Sequence, residues 1–136
     1  MGRDVPLLCA KYGDGLILVV FTVGLAYLVL DLPFLADPVG DQVSRTRFVS
    51  LMAGTFVAVG LHSLYTAVYI FRDPERAVRN DVRPLSTYLG DSRSSRRLRT
   101  KMDYTTAVGA RSAARALFRI GLVGAAFGVL AAVVMR

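Results

Sequence analysis

Two groups of side chains in this chain have types and spacing suited to chemistry. The first is a single residue, His62, the only histidine, set in the uncharged stretch 48–71. An imidazole can pass a proton or offer a ring nitrogen to a haem iron as one axial ligand. In an apolar helix it can also be a neutral hydrogen-bonding residue that fixes a helix contact. The structural role is preferred here. A proton path needs further ionisable groups, and the uncharged runs 15–30, 48–71 and 120–135 offer none besides His62. Tyr27, at comparable depth in the first run, is the expected partner.

The second group is cationic. Twelve of the seventeen Lys and Arg fall in 72–119, against five acids there (Asp73, Glu75, Asp81, Asp91, Asp103), so the net charge of +7 arises in this stretch. Arg93, Arg96, Arg97, Arg99 and Lys101 crowd one short Ser/Arg tract, and Arg111, Arg115 and Arg119 recur every four residues, on one face of a helix. Guanidinium groups pair with phosphate and carboxylate oxygens. The expected contacts are therefore anionic lipid headgroups, an acidic partner, or nucleic acid bound through its phosphates. Only Tyr88 and Tyr104 are at hand to stack on bases, so base-specific reading is not expected.

Other chemistry is missing. There is no Gly-rich phosphate loop followed by Lys-Ser/Thr, no His-Glu-x-x-His, and no Ser or Cys nucleophile near a histidine. One cysteine, Cys9, allows neither an internal disulfide nor a cysteine metal site. The chain reads as non-enzymatic, with no cofactor or metal expected.

These groups must be positioned by very apolar elements. Of 136 residues 54% are hydrophobic, and the mean hydropathy is +0.46. That is rich for a soluble domain, where about 45–50% is usual even with glycine counted. The apolar residues also gather in three blocks, as membrane spans do. The predicted spans are about 15–36, 48–71 and 116–135 of a single all-α membrane domain, joined by a basic connector over 72–115. The middle one, 24 uncharged residues, reaches about 36 Å, enough to cross a hydrocarbon core of about 30 Å. The first sixteen-residue run is short and is expected to gain length by continuing to Ala36. Residues 1–14 then form a polar leader, and 37–41 a turn. The first run is taken as an uncleaved anchor, since no clean small-x-small cleavage site follows it.

Within the connector, Asp73-Pro74-Glu75-Arg76 is a helix-start signature, predicting a short interfacial helix to about Asn80. Residues 86–101 read as a loop, and Asp103 as the cap of a long third helix. Cations beside spans favour the cytoplasmic side, which places the N-terminus inside and the C-terminus outside. The Arg-over-Lys bias and the Ala, Val and Gly content suggest a prokaryotic cell membrane or the membrane of a virion.

Small residues let helices approach closely. Gly54, Ala58, His62 and Thr66 recur at four-residue steps in the second span, and Gly121, Gly124, Gly128 and Ala132 mark the third. These stripes are expected to bury against other helices, of this chain, of copies of it, or of other membrane subunits.

In size and in its one membrane histidine the chain resembles the three-helix haem-anchor subunits of succinate dehydrogenase, which implies a haem-binding or proton-handling role for His62. In size and span number it also resembles several holins, which implies a small oligomeric pore. Ahead of both stands a structural or accessory subunit of a larger membrane assembly, with a basic inner face.

Overall fold

The computed structural model describes residues 4–30, 38–84 and 103–134, and all regular structure among them is helical. Helix α1 spans Val5–Leu30, α2 Pro38–Arg72, α3 Pro74–Arg79 and α4 Ala107–Val134. Three of these, α1, α2 and α4, are long and apolar enough to cross a membrane.

The long helices start well ahead of the apolar runs that announce them. In α1 the Asp4 carbonyl accepts the first helical bond, from Leu8 N at 3.0 Å, and Pro6 sits in the first turn, where a missing N–H costs nothing. Ten residues expected in a polar leader, Val5 to Asp14, are therefore helical. The short first run gains its length on this N-terminal side, while residues 31–36 lie outside the described residues. Likewise α2 begins at Pro38, not after the expected turn at 37–41. Proline has φ preset for a first helical turn and so opens a helix as readily as it closes one.

Helix α2 is central. Contacts run Gly60 to Gly121 and Ala125, then Ala53 and Val57 to Gly128, so α4 is antiparallel to it. On α1 the pairs Gly13–His62 and Gly24–Leu51 show the same antiparallel sense. The α2–α4 seam is tight because its backbones touch. A methyl group added at Gly60 would lie 2.5 Å from Ala125 N, and one at Gly128 would lie 2.8 Å from the Ala53 carbonyl oxygen. Glycine at both positions is what allows dispersion contact along the seam, the principal attraction open to apolar helices in lipid. Phe56 and Phe127 extend it with an edge-to-face pair, centroids 5.2 Å apart.

The seam leads into a compact core at one end of the molecule. Ala10 of α1, Ala67 and Ile70 of α2, Ala77 of α3, and Ala113 and Ala114 of α4 are all nearly inaccessible, with Val82 and Tyr104 packed among them. Alanine predominates because four helices converge there. Helix α3 is locked into this end by its own termini. Asp73 Oδ1 accepts from Arg76 N at 2.9 Å, with Pro74 in the first turn. At the other terminus Val82 N donates to Ala77 O (2.9 Å) and Asp81 N to Val78 O (3.1 Å), with Asp81 left-handed at φ 54°. This is a Schellman closure with aspartate in the usual glycine position. None of the most apolar stretch of α1 is buried.

Candidate functional site

The antiparallel packing of α1 on α2 decides what faces His62. Residues 9–14 of α1 lie level with the imidazole, about 15 Å along α2 from Arg72. Nε2 is 2.9 Å from the Cys9 carbonyl oxygen, and Nδ1 is 2.6 Å from Asp14 Oδ1. The His62 and Asp14 side chains are 11% and 19% exposed. The ring lies over Gly13, where any Cβ would come within 2.3 Å of Nε2. Glycine at 13 is thus the space the imidazole occupies.

Two sequence expectations are corrected here. Tyr27 is not the partner: it is 65% exposed and thirteen residues beyond Asp14, about 20 Å farther along α1. Nor is His62 without an ionisable neighbour, because the helix begins at Val5 and so carries Asp14 and Lys11 within it. Nε2 meets the Cys9 carbonyl and Nδ1 lies at ion-pair distance from Asp14, so to ligate a haem iron His62 would have to give up one of these contacts. Among the described residues no cluster of His, Cys, Asp and Glu is placed to hold a metal ion.

A ladder of polar ties continues from this pair toward the packed end. Tyr65 donates to the Pro6 carbonyl at 3.3 Å, Lys11 Nζ donates to the Asn80 carbonyl at 3.0 Å, and Arg76 pairs with Asp4. The Lys11 ammonium thus sits on the C-terminal carbonyls of α3, where the helix dipole favours a cation. The hydrogen bond to Asp4 holds the Arg76 guanidinium above its ordinary range.

At the start of α4 the cap is one step removed from the expected one. Thr106, not Asp103, caps the helix, its Oγ1 accepting from Gly109 N at 3.1 Å. Asp103 folds back to accept from Thr105 N (2.8 Å), the Thr105 hydroxyl and Thr106 Oγ1 (3.0 Å). These bonds hold its carboxyl below the usual range, the Thr105 hydroxyl contributing most. A Cβ at Gly109 would lie 2.6 Å from the Asp103 carbonyl oxygen, so glycine makes room for this loop. Burial pushes the Tyr104 phenol up to about 12.

Of the cations singled out in the sequence, Arg111, Arg115 and Arg119 are exposed along α4. Arg93, Arg96, Arg97, Arg99 and Lys101 lie outside the described residues. The small-residue stripes are only partly brought together. Gly121 and Gly128 are buried against α2, a Cβ at Gly124 would make ordinary contact 3.7 Å from the Gly60 Cα, and Ala132 is exposed. On α2, Thr66 is 2% exposed, Ala58 is half-buried, and Gly54 is exposed with nothing near its Cβ position. Four-residue steps drift by about 40° each on a helix of 3.6 residues per turn, so such a row cannot stay on one straight seam. Ala53, Val57, Gly60 and Leu64, at mixed three- and four-residue spacing, meet α4 instead.

Sequence reasoning missed Asp14, Gly13 and Gly60. For the first two a signal was present: Pro6 suits a first helical turn, no breaker stands between it and the apolar run, and Gly13-Asp14-Gly15 sets an acid between two glycines. Comparison with known proteins returns no match, whether to a family model, a curated protein or a solved structure.

Proposed function

We propose that this chain is a non-enzymatic, three-span subunit of a larger membrane assembly, anchored at its cytoplasmic end by contact between arginine and anionic headgroups. One observation carries the reading. Three long apolar helices expose their large side chains outward, among them Val19, Val23, Val123, Phe127 and Leu130, while Arg72, Arg79, Arg111 and Arg115 gather at the end where all four helices converge. Exposed apolar flanks suit lipid or neighbouring helices, and a one-sided cationic end suits a phosphate-bearing surface. Arg111, Arg115 and Arg119 stack as like charges at four-residue spacing, which costs a few tenths of a kcal/mol per pair until anions neutralise them. The exposed Phe118 and Leu122 flank Arg119, so an acyl chain can follow a headgroup held there.

Topology tests the reading directly. With Cys9 replaced by Ser, single cysteines at Asp91 and at Asp37 are labelled in sealed cells with a membrane-impermeant maleimide. Labelling at 37 alone is expected. Labelling at 91, or a chain that stays in solution without detergent, defeats the proposal.

A further inference from the structure

We propose that the lipid partner of this chain is a thin bilayer, with a hydrocarbon core of about 22 Å instead of the usual figure of about 30 Å. In thicker lipid the chain draws headgroups inward to the level of His62. This rests on the three-span reading above and specifies the bilayer that reading needs.

The uncharged run 48–71 of α2 is long enough for an ordinary core, yet the helices beside it do not match that length. On α1, Gly13 lies under the His62 ring and Asp14 stands 2.6 Å from it, so both are level with His62. On α4, Gly121 touches Gly60 and Leu64, which puts Arg119, two residues earlier, within about 3 Å of the same level. Asp14 and Arg119 are the innermost ionisable side chains of their helices among the described residues, and they stand about 12–15 Å inside Arg72. At the other end Gly24 rests on Leu51, so Tyr27 comes close to the level of the exposed Arg47. The helix from Arg47 to His62 rises only about 22 Å.

Tyrosine marks the same two levels. Tyr12 adjoins Gly13, Tyr65 lies one turn beyond His62, and Tyr27 stands at the Arg47 end, all three exposed. Phenol rings favour headgroup depth, where one edge is wet and the other apolar. Between these rows the Thr22 and Thr55 hydroxyls are turned back on the carbonyls of Leu18 and Leu51, as suits an apolar belt.

The backbone sets a third limit. Helix α3 does not extend beyond Arg72 but folds back beside the long helices, with Ala77 and Val82 buried in one cluster with Ala10, Ala67 and Ala114. The Lys11 ammonium reaches the Asn80 carbonyl, which brings the turn after α3 toward the His62 level. Residues 80–84 are not helical, and Asp81 among them is exposed. Exposed irregular backbone does not occur in hydrocarbon. The stretch of α2 from His62 to Arg72 therefore belongs at headgroup depth. The exposed apolar residues of this end, Leu8, Val68 and Phe71, share it with Arg72, Arg111 and Arg115. A belt shorter than its bilayer is met by thinning of the lipid and by snorkelling of long cations at its rim. Arg119 can reach outward in this way, whereas the shorter Asp14 and His62 side chains, facing each other across two helices, keep their depth.

The test places the full chain, with Cys9 replaced by Ser, in phosphatidylcholine vesicles whose monounsaturated acyl chains run from fourteen to twenty-two carbons. The thermal midpoint of helical circular dichroism is expected to be highest in the shortest chains and to fall by several degrees toward the longest. Depth is read in eighteen-carbon lipid from single nitroxide labels at Leu8→Cys and Val68→Cys, outside the proposed belt, and at Val19→Cys and Val59→Cys, within it. All four sites are exposed. The outer pair is expected to relax mainly with a water-soluble nickel chelate and the inner pair mainly with oxygen. A midpoint that is level or rises with chain length overturns the thin-bilayer match. Outer labels as oxygen-dominated as the inner pair overturn the headgroup depth of the packed end. Failure of the three-span reading shows differently, as nickel-dominated relaxation at Val19 and Val59 or a chain that does not enter the vesicles.

Discussion

Asp14 is an unusual residue to find in a helix this apolar, and His62 of α2 stands opposite it. An isolated carboxylate in such surroundings would be expensive. It stands 2.6 Å from an imidazole whose other nitrogen meets the Cys9 carbonyl, and so belongs to a polar unit. Gly13 is the hidden member of that unit. Gly13→Ala would push a methyl to within 2.3 Å of the ring, so the imidazole must move and lose a partner. A loss of about 1–3 kcal/mol is expected, read as a lower unfolding midpoint in detergent. Gly15→Ala, with nothing within 4 Å of its Cβ position, should keep or raise the midpoint, since alanine favours a helix interior over glycine. Equal effects of the two would argue against the ring-over-glycine geometry.

At the level of elements, two seams of different character hold the helices together. The α2–α4 seam is apolar and depends on backbone approach. Gly60→Ala drives a methyl into the α4 backbone, 2.5 Å from Ala125 N, whereas Gly124→Ala adds one at 3.7 Å from its nearest neighbour. The first should cost about 1–3 kcal/mol and the second less than about 0.5 kcal/mol, measured by thermal melting of helical circular dichroism. The α1–α2 seam depends on polar ties instead. Between α3 and α4, the Asp103–Thr105–Thr106 loop introduces pH dependence. The folded Asp103 carboxyl titrates below its unfolded value, so its contribution is complete above about pH 4 and is lost as the pH falls through the depressed value. Tyr104 acts in the opposite sense: its phenol is held neutral up to about 12, so stability declines between about pH 10, where the unfolded phenol ionises, and that value. Asp103→Asn should remove the acid limb and leave the alkaline one. An unchanged acid limb would place that dependence elsewhere.

On the scale of the whole molecule, charge and hydropathy are separated along the helix axes. One end holds the four-helix core and the described arginines of α3 and early α4, and the remainder is an apolar sheath as far as Arg45 and Arg47, exposed near the start of α2. If that end rests on anionic headgroups, replacing Arg111, Arg115 and Arg119 together by Gln should weaken retention of anionic lipid by about 1 kcal/mol per cation. Native mass spectrometry from mixed-lipid nanodiscs measures this, with zwitterionic lipid unaffected. Equal retention of both lipid types before and after substitution would leave the arginine column without its proposed partner.

The helical class, the three apolar lengths and the cationic stretch were legible because each depends on local composition: uncharged runs, the Asp73-Pro74 start signature, twelve cations within 72–119. Helix starts were less legible, since Pro6 and Pro38 serve equally well as stops or as first-turn residues. Pairing across helices was not legible at all. Which residue of α1 meets His62, and whether Gly54 or Gly60 lies against α4, depends on helix rotation and relative depth. No residue encodes these singly, because they are set by the sum of contacts along an antiparallel seam. Hence the half-buried acid, the glycine beneath the imidazole and the backbone contact at Gly60 emerge only once the helices are packed.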